Sequence, residues 1–374
     1  MKTALVVDWL DKFAGAERVI ASINKNNKID EHHALINIMS TNDTIKTFGN
    51  IITIKSTWLS IFGKHFRYLL PLFPFFIRNL KVSSDITLVI SSSHCIAKAV
   101  KAPKGAFHIC YFQARNSKYI WEEYDIYFRS WKRAFMPLIP LLRYLDKKSA
   151  SNPDCIIANS KFVKKWIFDV YGLEADVIYP PIDLARFSMG SHKKDYFITV
   201  GRLEPYKKFD IIIEAFNKSG LNLFIVGDGS ERKKLELMAH KNITFTGFLE
   251  TTEINELLGD ARAFVYAGIE DFGIAPLEAQ ATGCPVICLG LGGTAETVIH
   301  LQTGIHFLEQ TSKSLNDAIE LFLMTESSFN YFDIFRHSRA FSEEAFADNF
   351  KKALEEKLYK NNNTQSSKLT KHDI

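Results

Sequence analysis

Two glutamates, Glu270 and Glu278, flank the start of a short helical pattern in residues 264–298, FVYAGIEDFGIAPLEAQATGCPVICLGLGGTAETV. An apolar run at 263–266 reads as a buried strand, and 284–287 as the next, ending in Gly290-Leu291-Gly292-Gly293. Between them, 274–281 reads as a helix with Pro276 in its first turn, where a missing N–H costs nothing. The helix mouth offers the N–H groups of Phe272, Gly273 and Ile274, and such an end attracts anions, phosphate above all. Gly273 lacks a Cβ, so backbone can approach a ligand closely. Phosphate at the mouth, with carboxylates beside it to accept hydroxyl hydrogen bonds, makes a nucleotide-sugar site. The same spacing also fits a capped surface helix with two solvated glutamates, since helix starts are often acidic.

Those residues need a parallel sheet to hold them. Strands are predicted at 3–7, 35–39, 51–54, 86–91, 106–112, 152–158 and 176–179, and again at 196–200, 223–226 and 243–245. Gly15 and Ala16 open a helix after the first strand, and His94 follows the fourth, where such sheets bind ligands. His94 fits a satisfied structural histidine equally well. Gln113 follows the strand at 106–112, and Asn159-Ser160 caps the next helix. In the second half, Gly201-Arg202-Leu203 and Lys207 follow one strand, Gly227-Asp228-Gly229 another and Gly247-Phe248 a third. The order reads as α/β, two doubly wound Rossmann-like domains facing a cleft. The expected layout is 1–187, 188–340, a C-terminal helix over 341–360 packing back toward the first domain, and a polar disordered tail over 361–374.

The whole chain narrows the class. Its 374 residues, 47% hydrophobic, suffice for two ordinary domains, and a net charge of +4 is too mild to argue for nucleic acid. Cys95, Cys110, Cys155, Cys284 and Cys288 show no CxxC pair or zinc spacing and read as reduced thiols of a cytosolic protein. Asp8 and Asp11 break the first apolar run, against a signal peptide, and no run is long enough to span a bilayer. Residues 55–81 mix aromatics with Lys55, Lys64, Arg67, Arg78 and Lys81 and hold no acid; residues 129–148 repeat the mixture around Trp131, Phe135, Leu138 and Leu141. That chemistry suits the headgroup layer of an anionic membrane, with Trp58, Phe62, Phe73 and Trp131 inserting. It also fits an ordinary loop and helix packed on the domain.

Taken together, Gly201-Arg202-Leu203 with Lys207, Gly227-Asp228-Gly229, Gly247, Glu270-Asp271-Phe272-Gly273 with Glu278, and Gly292-Gly293 with Glu296 resemble the family-4 retaining glycosyltransferases of the two-Rossmann-domain (GT-B) type. The second half is covered almost entirely, the first more loosely, through Gly15-Ala16-Glu17 and residues 152–183. The segments 204–208 and 270–281 look most like bacterial mannosyltransferases of lipopolysaccharide O-antigen assembly. The resemblance implies transfer of mannose from GDP-mannose to a lipid-linked glycan, by a cytoplasmic protein held at the inner face of the plasma membrane. It implies catalytic roles for Arg202, Lys207 and Glu270, and a donor site of Gly201, Arg202, Lys207, Gly247, Phe248, Glu270, Asp271, Phe272, Gly273, Ile274 and Glu278. Gly15, Ala16, His94 and Gln113 fall on the acceptor side. Similar sequences carry His-Thr/Ser-Pro where this chain has Gln113-Ala114-Arg115.

Charge grows on the leaving diphosphate, and a site offsets it with a metal or with fixed cations. No two aspartates are separated by a single residue, so Arg202 and Lys207 are the expected substitute, with no metal and no cofactor; Lys208 is the solvated neighbour. A UDP-sugar donor, or a non-catalytic sugar-binding homologue, stays open. A Rossmann dehydrogenase would need GxGxxG after the first strand, which is absent.

Overall fold

The computed structural model describes residues 1–122, 124, 130–190 and 192–369. They form two compact units, Met1–Pro180 joined by residues from Phe346 on, and Pro181–Ala345. The first unit ends seven residues before the expected boundary at 187, because the irregular segment that follows is bonded into the second. The Ile182 amide donates to Phe341 O at 2.9 Å, and the Ser188 amide to Asn255 Oδ1 at 2.8 Å.

Unit 1 is a parallel sheet of β1 (Thr3–Leu10), β2 (Glu31–Asn37), β3 (Ile54–Ser56), β4 (Leu88–Ser93), β5 (Phe107–Phe112), β6 (Cys155–Ala158) and β7 (Asp176–Val177). Their spatial order is β3-β2-β1-β4-β5-β6-β7. Both faces are covered, so the strands are apolar at successive positions rather than alternating with polar ones. Leu5 and Val7 join Ile109, Tyr111 and Ile157 on one face; Ala4, Val6 and Val89 join Leu59, Phe66 and Phe73 on the other. The helix Glu343–Leu369 lays Phe346, Phe350 and Leu354 on the first of these faces, with the Phe346 ring 5.8 Å from that of Tyr111. It runs on through 361–369, where the polar composition suggested an unstructured tail; residues 370–374 lie outside the described residues.

Unit 2 holds β8 (Phe197–Val200), β9 (Leu223–Val226), β10 (Ile243–Gly247), β11 (Phe264–Tyr266), β12 (Val286–Leu289) and β13 (Gly304–Phe307), parallel and ordered β10-β9-β8-β11-β12-β13. Its core sets Phe197 edge-to-face with Phe216 and Phe322, with ring centroids 5.3 and 5.9 Å away.

The aromatic-cationic segment of unit 1 is part core, part surface. Trp58–Leu72 forms 3-10 turns broken at Gly63, and Phe73–Arg78 a short helix. Phe66, Phe73 and Ile77 are buried, so Phe73 is a core residue and not an inserting one: aromatic density alone does not say which face is turned in. Two of the cations have acidic partners from elsewhere in the chain, Lys55 with Glu31 and Arg67 with Asp11. The Trp131 side chain and Arg129 lie outside the described residues. Among the described residues no helix is long and apolar enough to cross a membrane, and all five cysteines are free and buried.

Candidate active site

In an open parallel sheet, ligands bind beyond the carboxyl ends of the strands, where the order of addition reverses. In unit 2 that point lies between β8 and β11. The chain lays β9 and β10 on one side of β8, then crosses to build β11, β12 and β13 on the other. The loops leaving β8 and β11 carry Lys207 and Glu270, and the structure brings them together. Lys207, at the end of the turn Pro205–Lys207, sets its Nζ 2.7 Å from Glu270 Oε1. The same ammonium donates to the Tyr266 hydroxyl at 3.3 Å. That hydroxyl, at the buried end of β11, in turn donates to Glu270 Oε1. Two donors thus converge on one carboxylate oxygen. Among the described residues Oε2 receives no donor. The glutamate side chain is 25% exposed, which leaves that oxygen open to a ligand hydroxyl. Burial, and then the Glu270 charge, hold the Tyr266 phenol well above its usual range, so it keeps its proton and acts as a donor. Gly268 makes the approach possible. A Cβ there would stand 3.0 Å from the Tyr266 hydroxyl and 3.1 Å from Lys207 Cα.

The loop from Glu270 to Gly273 is set from below. The Gly293 amide donates to Glu270 O at 2.8 Å, and a Cβ at 293 would lie 2.3 Å from Asp271 O and 2.4 Å from Phe272 Cα. Gly273 caps the helix Ile274–Gln280 at φ +92°, a left-handed conformation that glycine adopts without penalty. Asp271 and Phe272 are buried, Phe272 with its ring 6.0 Å from Phe341, so they shape the loop from inside rather than standing open at the helix mouth. Ile274 and Glu278 are half-buried on the helix.

The remaining expected donor residues are more scattered. Arg202 is exposed and donates to the Tyr206 hydroxyl at 3.1 Å, outside the Lys207–Glu270 contacts. Lys208, half-buried, begins the next helix at φ +57°. Gly201 and Gly247 belong to a ladder of strand ends: the Gly201 amide donates to Val226 O at 2.9 Å and the Gly227 amide to Gly247 O at 2.8 Å. Phe248 beyond them is exposed.

Unit 1 has its own reversal point, between β1 and β4. There the buried Asp8 accepts the backbone amides of His94, Cys95, Ile96 and Ala97 at 2.6, 2.9, 2.5 and 2.5 Å, and lies 3.3 Å from His94 Nδ1. His94 sits edge-on to Trp9, and burial lowers its pKa. Gln113 donates to Ser92 Oγ at 2.8 Å and to Ala16 O at 3.2 Å, tying the end of β5 to the helix Gly15–Asn26. The structure therefore gathers Gly15, Ala16, His94 and Gln113 beyond the carboxyl ends of the neighbouring strands β1, β4 and β5. Asp8 and Tyr266 were missed in the sequence. Asp8 had a signal, an acid inside the apolar run ALVVDWL; the Tyr266 hydroxyl had none. No group of three His, Cys, Asp or Glu side chains among the described residues could hold a metal ion.

Two family descriptions together cover most of the chain: Glycosyltransferase Family 4 matches residues 15–186, and Glycosyl transferases group 1 matches residues 182–345. The chain belongs to the family-4 glycosyltransferases. This glycosyltransferase is 29% identical over 200 residues to a GDP-mannose-dependent alpha-(1-6)-phosphatidylinositol monomannoside mannosyltransferase of Mycobacterium tuberculosis, covering 45% of this chain and 52% of that one. It is 30% identical over 159 residues to the O-antigen chain mannosyltransferase RfbU of Salmonella typhimurium, covering 39% and 44%. The chain spans about half the length of the curated relatives it matches. Among solved structures, Anabaena Alr3699/HepE in complex with UDP superposes with a TM-score of 0.70 at 15% identity, covering 95% of this chain and 100% of that one. The glycosyltransferase thus has the two-domain Rossmann-like GT-B fold.

Proposed function

We propose that this glycosyltransferase moves mannose from GDP-mannose to a hydroxyl of a lipid-linked oligosaccharide, with retention at the anomeric carbon, in O-antigen assembly. The observation that carries the reading is the Lys207–Glu270–Tyr266 cluster at the reversal point of unit 2. A diphosphate there draws Lys207, a mobile point charge, toward the growing negative charge; Arg202 adds a planar fork from the same loop. Glu270 Oε2 accepts a sugar hydroxyl, and Glu278 the ribose hydroxyls. The acceptor oxygen attacks the anomeric carbon on the face the diphosphate leaves. The anomeric C–O bond to phosphate breaks, and the acceptor proton passes to a phosphate oxygen. Glu270 forms no covalent bond. Neither a metal nor a cofactor takes part. The mannosyltransferase relatives support mannose as the sugar, and the GDP-mannose dependence of the mycobacterial one supports the nucleotide.

A lipid-linked acceptor is met at a bilayer. Unit 1 supports a peripheral site on the inner, anionic face of the plasma membrane. Ile61 is 83% exposed and Phe75 65%, with Leu72, Leu138, Leu141 and Tyr144 also turned out. Residues of both aromatic-cationic segments line one groove of 750 Å³, Phe75 and Arg78 from the first and Leu145 and Lys148 from the second, together with Val100, Lys101 and Asp154. Among the described residues Arg78, Lys101 and Lys148 have no carboxylate partner. The test is transfer from labelled GDP-mannose, with UDP-glucose and UDP-galactose in parallel, to a lipid-linked acceptor. Label moving only from a UDP-sugar overturns the donor; no transfer or hydrolysis of any donor leaves a sugar-binding protein.

A further inference from the structure

The cluster around Glu270 contains more than the donor reading needs. Lys207 cannot both neutralise Glu270 and follow a diphosphate, because one ammonium has one position at a time. Once it moves, the carboxylate loses its cation in a half-buried site, where an unpaired charge is costly. Tyr266 is placed to prevent that. Its ring ends β11, buried in the sheet, and does not depend on the loop. Its hydroxyl meets the oxygen that Lys207 also holds, Oε1, and leaves Oε2 alone. The Lys207 ammonium lies 5.4 Å from the ring centroid, so the same side chain marks the resting place of the cation.

We infer that Tyr266 is a positioning residue for the reaction: its hydroxyl holds Glu270 Oε1 when Lys207 shifts to the diphosphate, and so keeps Oε2 aimed at the donor sugar. A phenylalanine would fill the same space in the core but drop this bond. The inference rests on the donor reading above. It adds that the acidic residue is oriented from the sheet rather than by the loop cation.

Three variants test it with GDP-mannose as donor: Tyr266→Phe, Glu270→Gln and the double variant. A hydrogen bond to a charged group corresponds to a factor of about ten or more. Tyr266→Phe is therefore expected to lower kcat by about tenfold while the donor KM moves less than about twofold, with Tm near wild type, because the orienting bond matters in the transition state and not in binding. The double variant should turn over no more slowly than Glu270→Gln alone, since both act through one carboxylate. Gly268→Ala is the second approach. Its Cβ, 3.0 Å from the hydroxyl and 3.1 Å from Lys207 Cα, should push Tyr266 off Glu270 in a protein that keeps the phenol, and its kcat loss should shrink in the Tyr266→Phe background if it acts through the hydroxyl and persist in full if it acts through Lys207. Wild-type kcat in Tyr266→Phe, or losses that simply multiply in the double variant, overturns the inference and leaves the donor reading standing. Wild-type kcat in Glu270→Gln overturns both.

Discussion

Gly293→Ala is a perturbation that touches no reacting atom and should still disable the enzyme. The new methyl would lie 2.3 Å from Asp271 O and 2.4 Å from Phe272 Cα, both backbone atoms that cannot rotate aside. A comfortable carbon-to-carbonyl-oxygen contact is about 3.3 Å, so the Glu270–Gly273 loop must retreat by about 1 Å. A displacement of that size at a catalytic group costs about 10²-fold in rate. Strain in the packed loop adds a stability loss of about 1–3 kcal/mol. Gly290→Ala, three residues earlier, is the control: its Cβ would meet His306 Cβ at 3.3 Å and Phe307 O at 3.5 Å, contacts the structure can absorb. The assay is nucleotide release from GDP-mannose with acceptor present, with Tm measured alongside. The expected result is a large loss of kcat/KM at 293 only, larger than the Tm shift explains. Turnover within about threefold of wild type in Gly293→Ala would refute the claim that this packing places Glu270.

Other outcomes follow from the same geometry. If Lys207 and Arg202 carry the charge stabilisation as proposed, turnover should survive excess EDTA; loss on chelation, restored by magnesium or manganese, contradicts this. Lys207→Ala and Arg202→Ala should each cost about 10²-fold in kcat and Lys208→Ala little; equal losses at all three would misplace the site. Burial raises Glu17 from 4.5 to about 7 in the fold. Between those values the folded state keeps a proton that the unfolded state releases, so stability falls as pH rises through the window and stays lower above it. Glu17→Gln should match wild type in Tm near pH 4.5 and exceed it by a few degrees at pH 8, on the order of 1–3 kcal/mol; a pH-independent difference rejects the assignment. Arg78→Glu, Lys101→Glu and Lys148→Glu combined should free the protein from vesicles holding anionic phospholipid, at about 1 kcal/mol per charge, with nucleotide binding unchanged; continued co-flotation contradicts the groove as the docking face.

The doubly wound order was legible because buried parallel strands are apolar on both faces and stand out between polar turns. The strand Leu223–Val226 fell where expected. Strands with mixed ends did not: β2 begins at Glu31, four residues before the expected start at 35, and β13, GIHF, has His306 between its two large apolar residues and so offers no apolar run to read. Lys207 and Glu270 were legible as a cation and an acid following strand ends, which is where β8 and β11 place them. Their contact was not, since 63 residues separate them and only the reversal between β8 and β11 closes that gap. Long-range partners misled the surface reading too. Residues 55–81 hold no acid, yet Asp11 and Glu31 reach Arg67 and Lys55 across the fold.

The helix that begins at Glu343 has a consequence for the order of events on the ribosome. Unit 2 is one uninterrupted stretch, complete once residue 345 has emerged, and domains generally fold as they appear. Unit 1, although its sheet is made first, lacks Phe346, Phe350 and Leu354 until all of unit 2 has been translated. Until then Leu5, Val7, Ile109 and Tyr111 share an apolar sheet face that Val19, Ile20, Ile23 and Phe48 cover only in part. The nascent chain therefore carries an unfinished first half past a finished second half, and a stop codon near 345 would leave a protein whose sheet face recruits chaperones or other copies of itself.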